Sequence, residues 1–359
     1  MRRLSKQSWE RAVDSLIISF TNVIPSSSNI PSCMAAFFNH IVNNTSFSAN
    51  TIRIRYVCLS TFTGWLESET DIKDLKLVDR SVLRKYLLYC RDVRGQQGSM
   101  LKCSKVALRN FFTFLSDSRI LLSNQVQGIQ IPTHMNTRDT AILDADEILA
   151  LIDAAKAELK RITSSSTGHI NNLRRVFTAL RNIAIIYILC STGIRTEEIC
   201  LISLADLNLE KGVININGKG NNLYLKRYRP VFINIPDVLE ALEAYIAVRT
   251  HTRERALFCS WDGYSLKSSA IISVVKKVAA KAGIKRNVTP MLVRHTFCSH
   301  LTVNGADPFS VRELMGHKKI LTTLHYYTHL TREQIKSQMI RYNPLSKGCD
   351  VNADSSRIF

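Results

Sequence analysis

A polar stretch in the middle of the chain, QIPTHMNTRDTAIL, separates two segments that both have helical patterns. It contains Pro132, and the helical periodicity stops before it and resumes after it. In a chain of 359 residues, such a break predicts two domains joined by a linker. We place this linker at residues 131–141.

The segment before the linker is predicted to be a bundle of amphipathic helices. In SANTIRIRYVCLSTFTGWLES and SMLKCSKVALRNFFTFLSD, apolar residues recur at the spacing that places them on one helix face. Asn50 and Thr51 are candidate cap residues of the first helix. We therefore predict a helical domain over residues 31–130, preceded by an extension over residues 1–30. Its apolar positions include Ile52, Tyr56, Leu59, Phe62, Leu66, Leu108, Phe111, Phe112 and Leu115.

The segment after the linker mixes helices with a few strands. Asp144 and Glu147 form a capping box at a helix start, and NIAIIYILC is typical of a buried helix. GVINING and RPVFINI have the β-branched content of two strands joined by a loop. From residue 265 onward the pattern is helical again. The fold class is therefore mainly α with a small β-sheet, with a second domain over residues 142–342 and a tail over residues 343–359.

Basic residues exceed acidic ones by a wide margin, which gives a formal net charge of +19. A field of this strength attracts a polyanion, most simply nucleic acid, although charge alone leaves a merely basic globular protein open. Lys102, Lys105 and Arg109 share one amphipathic stretch with an apolar face. They are candidates for DNA contact, and the alternative is an ordinary solvated face.

The nine cysteines are scattered, without a CxxC pair or another metal-ligand spacing. They indicate buried thiols in a reducing compartment. The chain starts with basic residues, but the charged residues Glu10, Arg11 and Asp14 follow where a signal peptide would have its apolar core. No run of 18 apolar residues occurs. We expect a cytoplasmic protein that does not interact with a membrane.

Several short motifs of the second half carry side chains that could bind phosphate or transfer protons. Taken singly, each has an ordinary reading: a surface arginine, a plain β-turn, or packing histidines. An arginine can also hold a phosphate through two parallel bonds while a carboxylate on its own helix fixes its rotamer. The motifs are Gly193-x-Arg195-x-x-Glu198, Gly218-Lys219-Gly220, Arg294-His295-Thr296-Phe297, Gly316-His317 and Tyr326-Tyr327-Thr328-His329.

In this order and spacing, the motifs resemble those of the tyrosine recombinase (phage integrase) family. The resemblance covers roughly residues 40–342 and is most specific over residues 289–330. It implies an N-terminal helical core-binding (SAM-like) domain and a mixed α/β catalytic domain, which close as a C-shaped clamp on duplex DNA. It also implies a site-specific recombinase that cuts and rejoins DNA through a 3′-phosphotyrosine, for integration, excision or resolution.

The resemblance and the chemistry of the side chains together imply a role for each site residue. Arg195 and Arg294 would neutralise the charge that develops on the phosphorane, and Glu198 would orient Arg195. Lys219 would protonate the 5′-oxygen that leaves, and His317 would donate to a non-bridging oxygen or assist proton transfer. Because a phosphotyrosine conserves the energy of the broken bond, no cofactor and no metal are expected.

Two features depart from the family pattern. Met291 stands three residues before Arg294, where a histidine is usual, and a thioether cannot donate a proton to phosphate. Activity is therefore expected to be slow unless His295 compensates. A relative that only binds DNA, as an architectural or regulatory protein, remains an alternative. A type IB topoisomerase is a further and less favoured alternative. The hairpin around Lys219 is longer than usual, which leaves Lys226 as a weaker candidate for the lysine role.

Two adjacent tyrosines compete for the role of nucleophile. Tyr327 is followed by Thr328 and His329, a small residue and then a histidine, as in the longer form of the family motif. The motif therefore assigns the nucleophile to Tyr327. Adjacent residues point about 100° apart on a helix, so that only one phenol can face the phosphate. The resemblance further implies a homo-tetramer on two DNA sites, a monomer in free solution, and C-terminal residues that dock on a neighbour.

Overall fold

The computed structural model describes residues 28–45, 47–96, 98–130, 142–164, 170–217, 228–249, 255–317 and 319–327, together with residue 336. The chain divides into two compact units, Met1–Arg138 and Asp139–Phe359. The predicted linker and tail, residues 131–141 and 343–359, lie outside the described residues, as does most of the predicted N-terminal extension. Among the described helices, none is long and apolar enough to cross a lipid bilayer.

The first unit is helical. Its helices are α1 (Ile30–Asn44), α2 (Ala49–Glu69), α3 (Arg80–Asp92) and α4 (Gly98–Asp117), with a 3₁₀ turn at Leu75–Leu77. The cap of α2 is Ser48, whose hydroxyl accepts from the Thr51 amide at 3.3 Å. The prediction of Asn50 or Thr51 as the cap was therefore wrong, because the chain already turns into the helix one residue before Asn50.

Aromatic rings fill the core of the first unit. Phe37, Phe38, Phe62, Phe111 and Phe112 are almost fully buried. Several pairs meet edge to face, the geometry that the quadrupoles of aromatic rings favour; the centroids of Phe37 and Phe38 lie 5.4 Å apart. The apolar stripes predicted from sequence on α2 and α4 supply most of these core residues.

The basic residues predicted to contact DNA lie on α4 and differ in their surroundings. Lys102 and Arg109 are exposed to solvent. Lys105 is half-buried, and its ammonium donates to the carbonyl oxygen of Ile129. Lys102 and Arg109 are therefore better placed than Lys105 to meet an external phosphate.

The second unit combines helices with one antiparallel sheet. Its strands are β1 (Leu207–Asn208), β2 (Val213–Asn217) and β3 (Tyr228–Phe232), which pair in the order β1-β2-β3 with Ile214 opposite Val231. Sequence predicted β2 and β3 but not the two-residue strand β1. The helices are α5 (Ala145–Ser164), α6 (Ile170–Thr192), α7 (Thr196–Leu201), α8 (Pro236–Val248), α9 (Ser268–Lys281), α10 (Pro290–Val303), α11 (Pro308–Met315) and α12 (Ile320–Tyr327).

Helix α6 forms the centre of the second unit and packs against α5, α8 and α10. Residues 183–189 of this helix are buried, as the apolar run in the sequence predicts. The helix ends where Gly193 adopts a φ of +57°, and a β-carbon there would lie 2.6 Å from the Phe297 ring. Only glycine fits this turn, which delivers Arg195 to the start of α7.

Candidate active site

Three helix ends bring the predicted site residues together. Arg195 is the N-cap residue of α7. Arg294 lies on α10, whose N-cap Thr289 accepts from the Leu292 amide at 3.2 Å. Gly316 ends α11 in the left-handed conformation, with φ of +62°, and His317 follows it.

Three successive carbonyl oxygens at the end of α11 each accept a hydrogen bond from a different arginine. The last carbonyls of a helix lack partners within it and carry the negative end of its dipole, so they attract cations. Two of these arginines were predicted from sequence, and the third, on β3, was not. The pairs are Arg229 Nη1 with Leu314, Arg294 Nη2 with Met315 at 2.6 Å, and Arg195 Nη2 with Gly316 at 2.9 Å.

Glu198 is the carboxylate that pairs with this arginine cluster. Its Oε1 accepts from Arg195 Nη1 at 2.8 Å, and its Oε2 accepts from Arg229 Nη2 at 3.0 Å. Oε2 also accepts from the backbone amide of Arg195 at 3.0 Å. Three guanidinium charges against one carboxylate leave the cluster positive, which suits an incoming phosphate.

Burial and the repulsion between the guanidinium groups both disfavour the charged forms of the arginines in the cluster. Burial, together with repulsion from Arg195, lowers the pKa of Arg294 to about 10, and Glu198 acts in the opposite direction. Burial is also the main reason that the pKa of Arg229 is lowered. A bound dianion would relieve this repulsion, as expected where positive groups are preorganised for a negative transition state.

His317 faces the cluster as a neutral ring. Its Nδ1 lies 2.9 Å from Oγ1 of the buried Thr323, which leaves the Nε2 edge available to a phosphate. Burial lowers its pKa to about 4, and the charges of Arg294, Arg195 and Arg229 act in the same direction. The ring is therefore uncharged near neutral pH.

This neutral histidine predicts an acid-sensitive fold. The pKa of His317 is about 4 in the folded protein against an ordinary 6.5, so the unfolded chain takes up its proton first as pH falls. The contribution of the neutral His317 ring to the free energy of unfolding is fully present above pH 6.5. It is lost progressively as the pH falls from 6.5 to about 4. We expect His317→Asn, which can keep a bond to Thr323, to flatten this loss in denaturant unfolding measured from a pH of about 7.5 downward. Equal slopes for the two proteins would contradict the prediction.

The two tyrosines at the end of α12 point to different surroundings. The hydroxyl of Tyr326 contacts Nδ1 of His295, and its ring is stacked on that of His317, with centroids 6.5 Å apart. The hydroxyl of Tyr327 donates to the carbonyl oxygen of Ala306. The structure thus brings Tyr326 to the arginine cluster and turns Tyr327, the residue that the sequence motif favours, away from it.

Burial also raises the phenol pKa values. That of Tyr326 rises to about 12, with Arg294 acting in the opposite direction, and that of Tyr327 is raised as well. A phenol with such a pKa is protonated at neutral pH and needs a base to become a nucleophile. The contact between Tyr326 and His295 supplies one.

The remaining predicted site residues differ in what the structure shows. Lys219, Lys226, Thr328 and His329 lie outside the described residues. The side chain of Met291, in the first turn of α10, is 55% exposed. Position 291 therefore supplies no histidine to the cluster, whereas His295, one turn further along the helix, contacts the tyrosine.

Arg229 is the site residue that sequence reasoning missed. It lies on β3, within the stretch taken from sequence as a plain strand, and its side chain is only 14% exposed. The available signal was an arginine at the start of a mostly apolar run, RPVFINI. An arginine in a strand that packs in the core is expected to be buried, and buried arginines are rare unless paired. A carboxylate partner could therefore be expected for this position.

The sequence is similar to those of known proteins. Residues 142–334 match the sequence model of the Phage integrase family. The tyrosine recombinase XerD of Staphylococcus epidermidis is 28% identical over 313 residues, which cover 86% of this chain and 97% of that protein.

Two solved structures share the fold. The XerH site-specific recombinase bound to its palindromic difH substrate matches with a TM-score of 0.65 at 18% identity, over 91% of this chain and 93% of that one. A lambda integrase tetramer bound to a Holliday junction matches with a TM-score of 0.61 at 14% identity, over 91% and 88% of the respective chains.

Proposed function

Since the chain belongs to the phage integrase family, we propose that its arginine cluster is the active site of a site-specific DNA recombinase. The enzyme is a tyrosine recombinase, which cuts and rejoins DNA strands through a covalent link between a tyrosine and the 3′-phosphate. The observation that carries the assignment of the site is the set of three arginines on three successive carbonyls beside a tyrosine hydroxyl.

The scissile phosphate would bind where Arg195, Arg294 and His317 converge. Arg195 keeps 37% of its side chain exposed and is the guanidinium most accessible to an external anion. Arg294 is 5% exposed and provides a fixed charge behind it. As phosphorus becomes pentacoordinate, the additional negative charge is met by groups already in place, so little reorganisation is needed.

Proton transfers complete the reaction. The phenol oxygen of Tyr326 forms the bond to phosphorus while its proton passes to Nδ1 of His295. The bond to the 5′-oxygen breaks, and Lys219 supplies the proton that this oxygen needs. Nε2 of His317 donates to a non-bridging oxygen. Rejoining runs the same steps in reverse, with a 5′-hydroxyl as nucleophile.

Tyr327 is the second candidate for the nucleophile, on the strength of the Tyr-Thr-His motif that it begins. To reach the phosphate, it would have to leave the Ala306 carbonyl, and α12 would have to turn by one residue position, about 100°. Geometry favours Tyr326, and the two assignments differ in a direct test.

The substrate and assembly follow from the family. We propose that two DNA sites are held by a homo-tetramer, that the free protein is a monomer, and that the protein acts in the cytoplasm. We further propose that residues 31–130 and 142–342 are the core-binding and catalytic domains that clamp the duplex. The element recombined could belong to a phage, a transposon, a plasmid or the chromosome.

The decisive experiment uses a nicked duplex taken from DNA neighbouring the gene. Cleavage beside the nick releases a short oligonucleotide, so rejoining fails and the covalent adduct accumulates. We expect an adduct that resists denaturant and disappears after protease digestion. A protein that binds the recombination site but leaves it uncut in this trap would be a DNA-binding protein without the reaction.

Binding to duplex DNA is predicted to be strongly salt-dependent. Each phosphate that a basic side chain neutralises releases condensed counterions, so that log Kd changes with log salt with a slope of about 0.9 per phosphate. Replacing Lys102 and Arg109 together by alanine should lower this slope by about 1 for each phosphate that the variant no longer binds. Lys105→Ala is the matched control, because that ammonium is bonded to Ile129 and should contribute less. A slope near zero in the wild-type protein would contradict the DNA assignment.

A further inference from the structure

Arg229 is the third arginine of the cluster, and we propose that it is a positioning residue. It holds Glu198 and the end of α11 in place, so that Arg195 and His317 face one phosphate. The inference rests on the proposed active site and assigns Arg229 a role through its neighbours, without contact to DNA.

The contacts of Arg229 all point into the protein. Nη2 donates to Glu198 Oε2 at 3.0 Å, and Nη1 donates to the carbonyl oxygen of Leu314. Its side chain is 14% exposed, against 37% for Arg195. Arg229 pairs with the buried carboxylate of Glu198 and is therefore placed to fix other groups. Arg294 is more buried still, but its Nη atoms donate to backbone carbonyl oxygens rather than to a carboxylate. Arg195 is the most exposed of the three and is placed to meet a ligand.

The guanidinium also packs against the backbone of Gly316. A β-carbon at Gly316 would lie 2.7 Å from Nε and 3.0 Å from Cδ of Arg229. At this point α11 ends with a left-handed residue and the chain turns towards His317. Arg229 thus supports the turn that sets the position of the histidine.

Two chains of contacts start from this one side chain. One runs through Glu198 to Arg195, since both arginines bind the same carboxylate. The other runs through residues 314–316 to His317. Arg229 lies opposite Ile216 in the β2–β3 ladder, so the sheet provides the rigid base for both chains. A shift of the sheet here would misplace a cation and a histidine together.

The charge of Arg229 has a separate effect that can be measured. The charged or titratable groups that act on His317 are Arg294, Arg195, Arg229 and His295, and the ring also meets Thr323 and Tyr326. Burial and these positive charges lower the pKa of His317. Removing one charge should therefore raise the pKa of His317, which is measured directly by NMR titration of its ring resonances.

The test compares Arg229→Met and Arg229→Lys with Arg181→Met. Arg181 is a matched control, because it is a largely enclosed arginine that donates to a backbone carbonyl, that of Cys259 at 2.9 Å, outside the cluster. Single-turnover cleavage of the nicked duplex, duplex affinity and the unfolding midpoint are measured for each. Misplacement by about 1 Å can cost a factor of about 100 in rate, which is the loss that we expect for Arg229→Met, with unchanged affinity.

The lysine variant separates charge from geometry. Arg229→Lys keeps the charge but cannot form both bonds in the fixed geometry of a guanidinium, so the pKa of His317 should stay low and the cleavage rate should not recover fully. Wild-type cleavage by Arg229→Met, or an unchanged pKa of His317 in that variant, would overturn the inference. Equal losses in Arg229→Met and Arg181→Met after correction for the folded fraction would also overturn it. Loss of affinity in parallel with rate would show a DNA contact instead.

A double-mutant cycle tests the route through the carboxylate. If Arg229 acts largely through Glu198, Arg229→Met combined with Glu198→Gln should be little slower than the slower single variant. A double variant whose loss of cleavage rate equals the product of the two single losses would contradict this route. The wild-type protein is the reference: its failure to form an adduct would refute the proposed function as well, whereas an adduct at equal rate in wild type and Arg229→Met would refute the positioning role alone.

Discussion

We expect Tyr326→Phe to abolish the covalent DNA adduct and Tyr327→Phe to retain it. This is the expected result because the hydroxyl of Tyr326 contacts His295 within the arginine cluster, whereas that of Tyr327 donates to the Ala306 carbonyl. Loss of the phenol oxygen removes the only atom of that side chain able to attack phosphorus. The nicked-duplex trap measures the adduct on a denaturing gel.

Duplex affinity serves as the control for both variants. A phenylalanine preserves the ring and its packing, so both proteins should bind DNA as the wild type does. Loss of the adduct in Tyr327→Phe and its retention in Tyr326→Phe would reassign the nucleophile to Tyr327. That result would mean that α12 turns when DNA binds, and it would leave the roles of the arginines unchanged.

We expect Arg195→Ala and Arg294→Ala each to reduce the cleavage rate by a factor of about 100 to 1,000, the loss typical of removing one preorganised hydrogen-bond donor. Affinity for uncleaved duplex should change far less, because these groups act mainly on charge that develops in the transition state. Single-turnover cleavage and duplex binding are measured side by side. Equal losses of rate and affinity would show that the arginines only anchor DNA.

Two further variants serve as controls for this second prediction. Arg294 donates to the carbonyls of Gly193 and Met315, so its loss leaves buried acceptors unpaired and costs stability. Arg294→Lys keeps a charge there and should fold better than the alanine variant while still cleaving slowly. Arg312→Ala is the neutral control: Arg312 lies on α11, the helix whose last carbonyls the cluster binds, but its side chain pairs with the exposed Glu313.

Much of the candidate site could be predicted because its motifs lie at chain positions with strong local signals. Gly193 and Gly316 mark turns with positive φ, and Arg195 and His317 follow them closely. Arg294 lies in the helix opened by Thr289 and Pro290. Such signals depend on a few neighbouring residues and are visible in a single sequence. The fold class followed from the same kind of local periodicity.

The rest depends on contacts between distant segments. Arg229 meets residues 198 and 314 only after β3 has paired with β2, and nothing near it in the chain shows that carboxylate. The choice between Tyr326 and Tyr327 depends on the rotational phase of α12, which one residue changes by about 100°. A motif fixes the spacing of residues but not the phase at which a helix packs.

The main-chain anchoring of the cluster has an evolutionary consequence. The arginines bind the carbonyls of residues 314–316, and every amino acid offers the same carbonyl. Substitutions at Leu314 can therefore accumulate without altering the hydrogen-bond acceptors, as long as the helix end keeps its path. Gly316 has no such freedom, because a side chain there would meet Arg229. A comparison of side chains alone would overlook the acceptors of these hydrogen bonds, because they are backbone carbonyls. Mutational scanning should find that position 314 tolerates substitution and that position 316 does not.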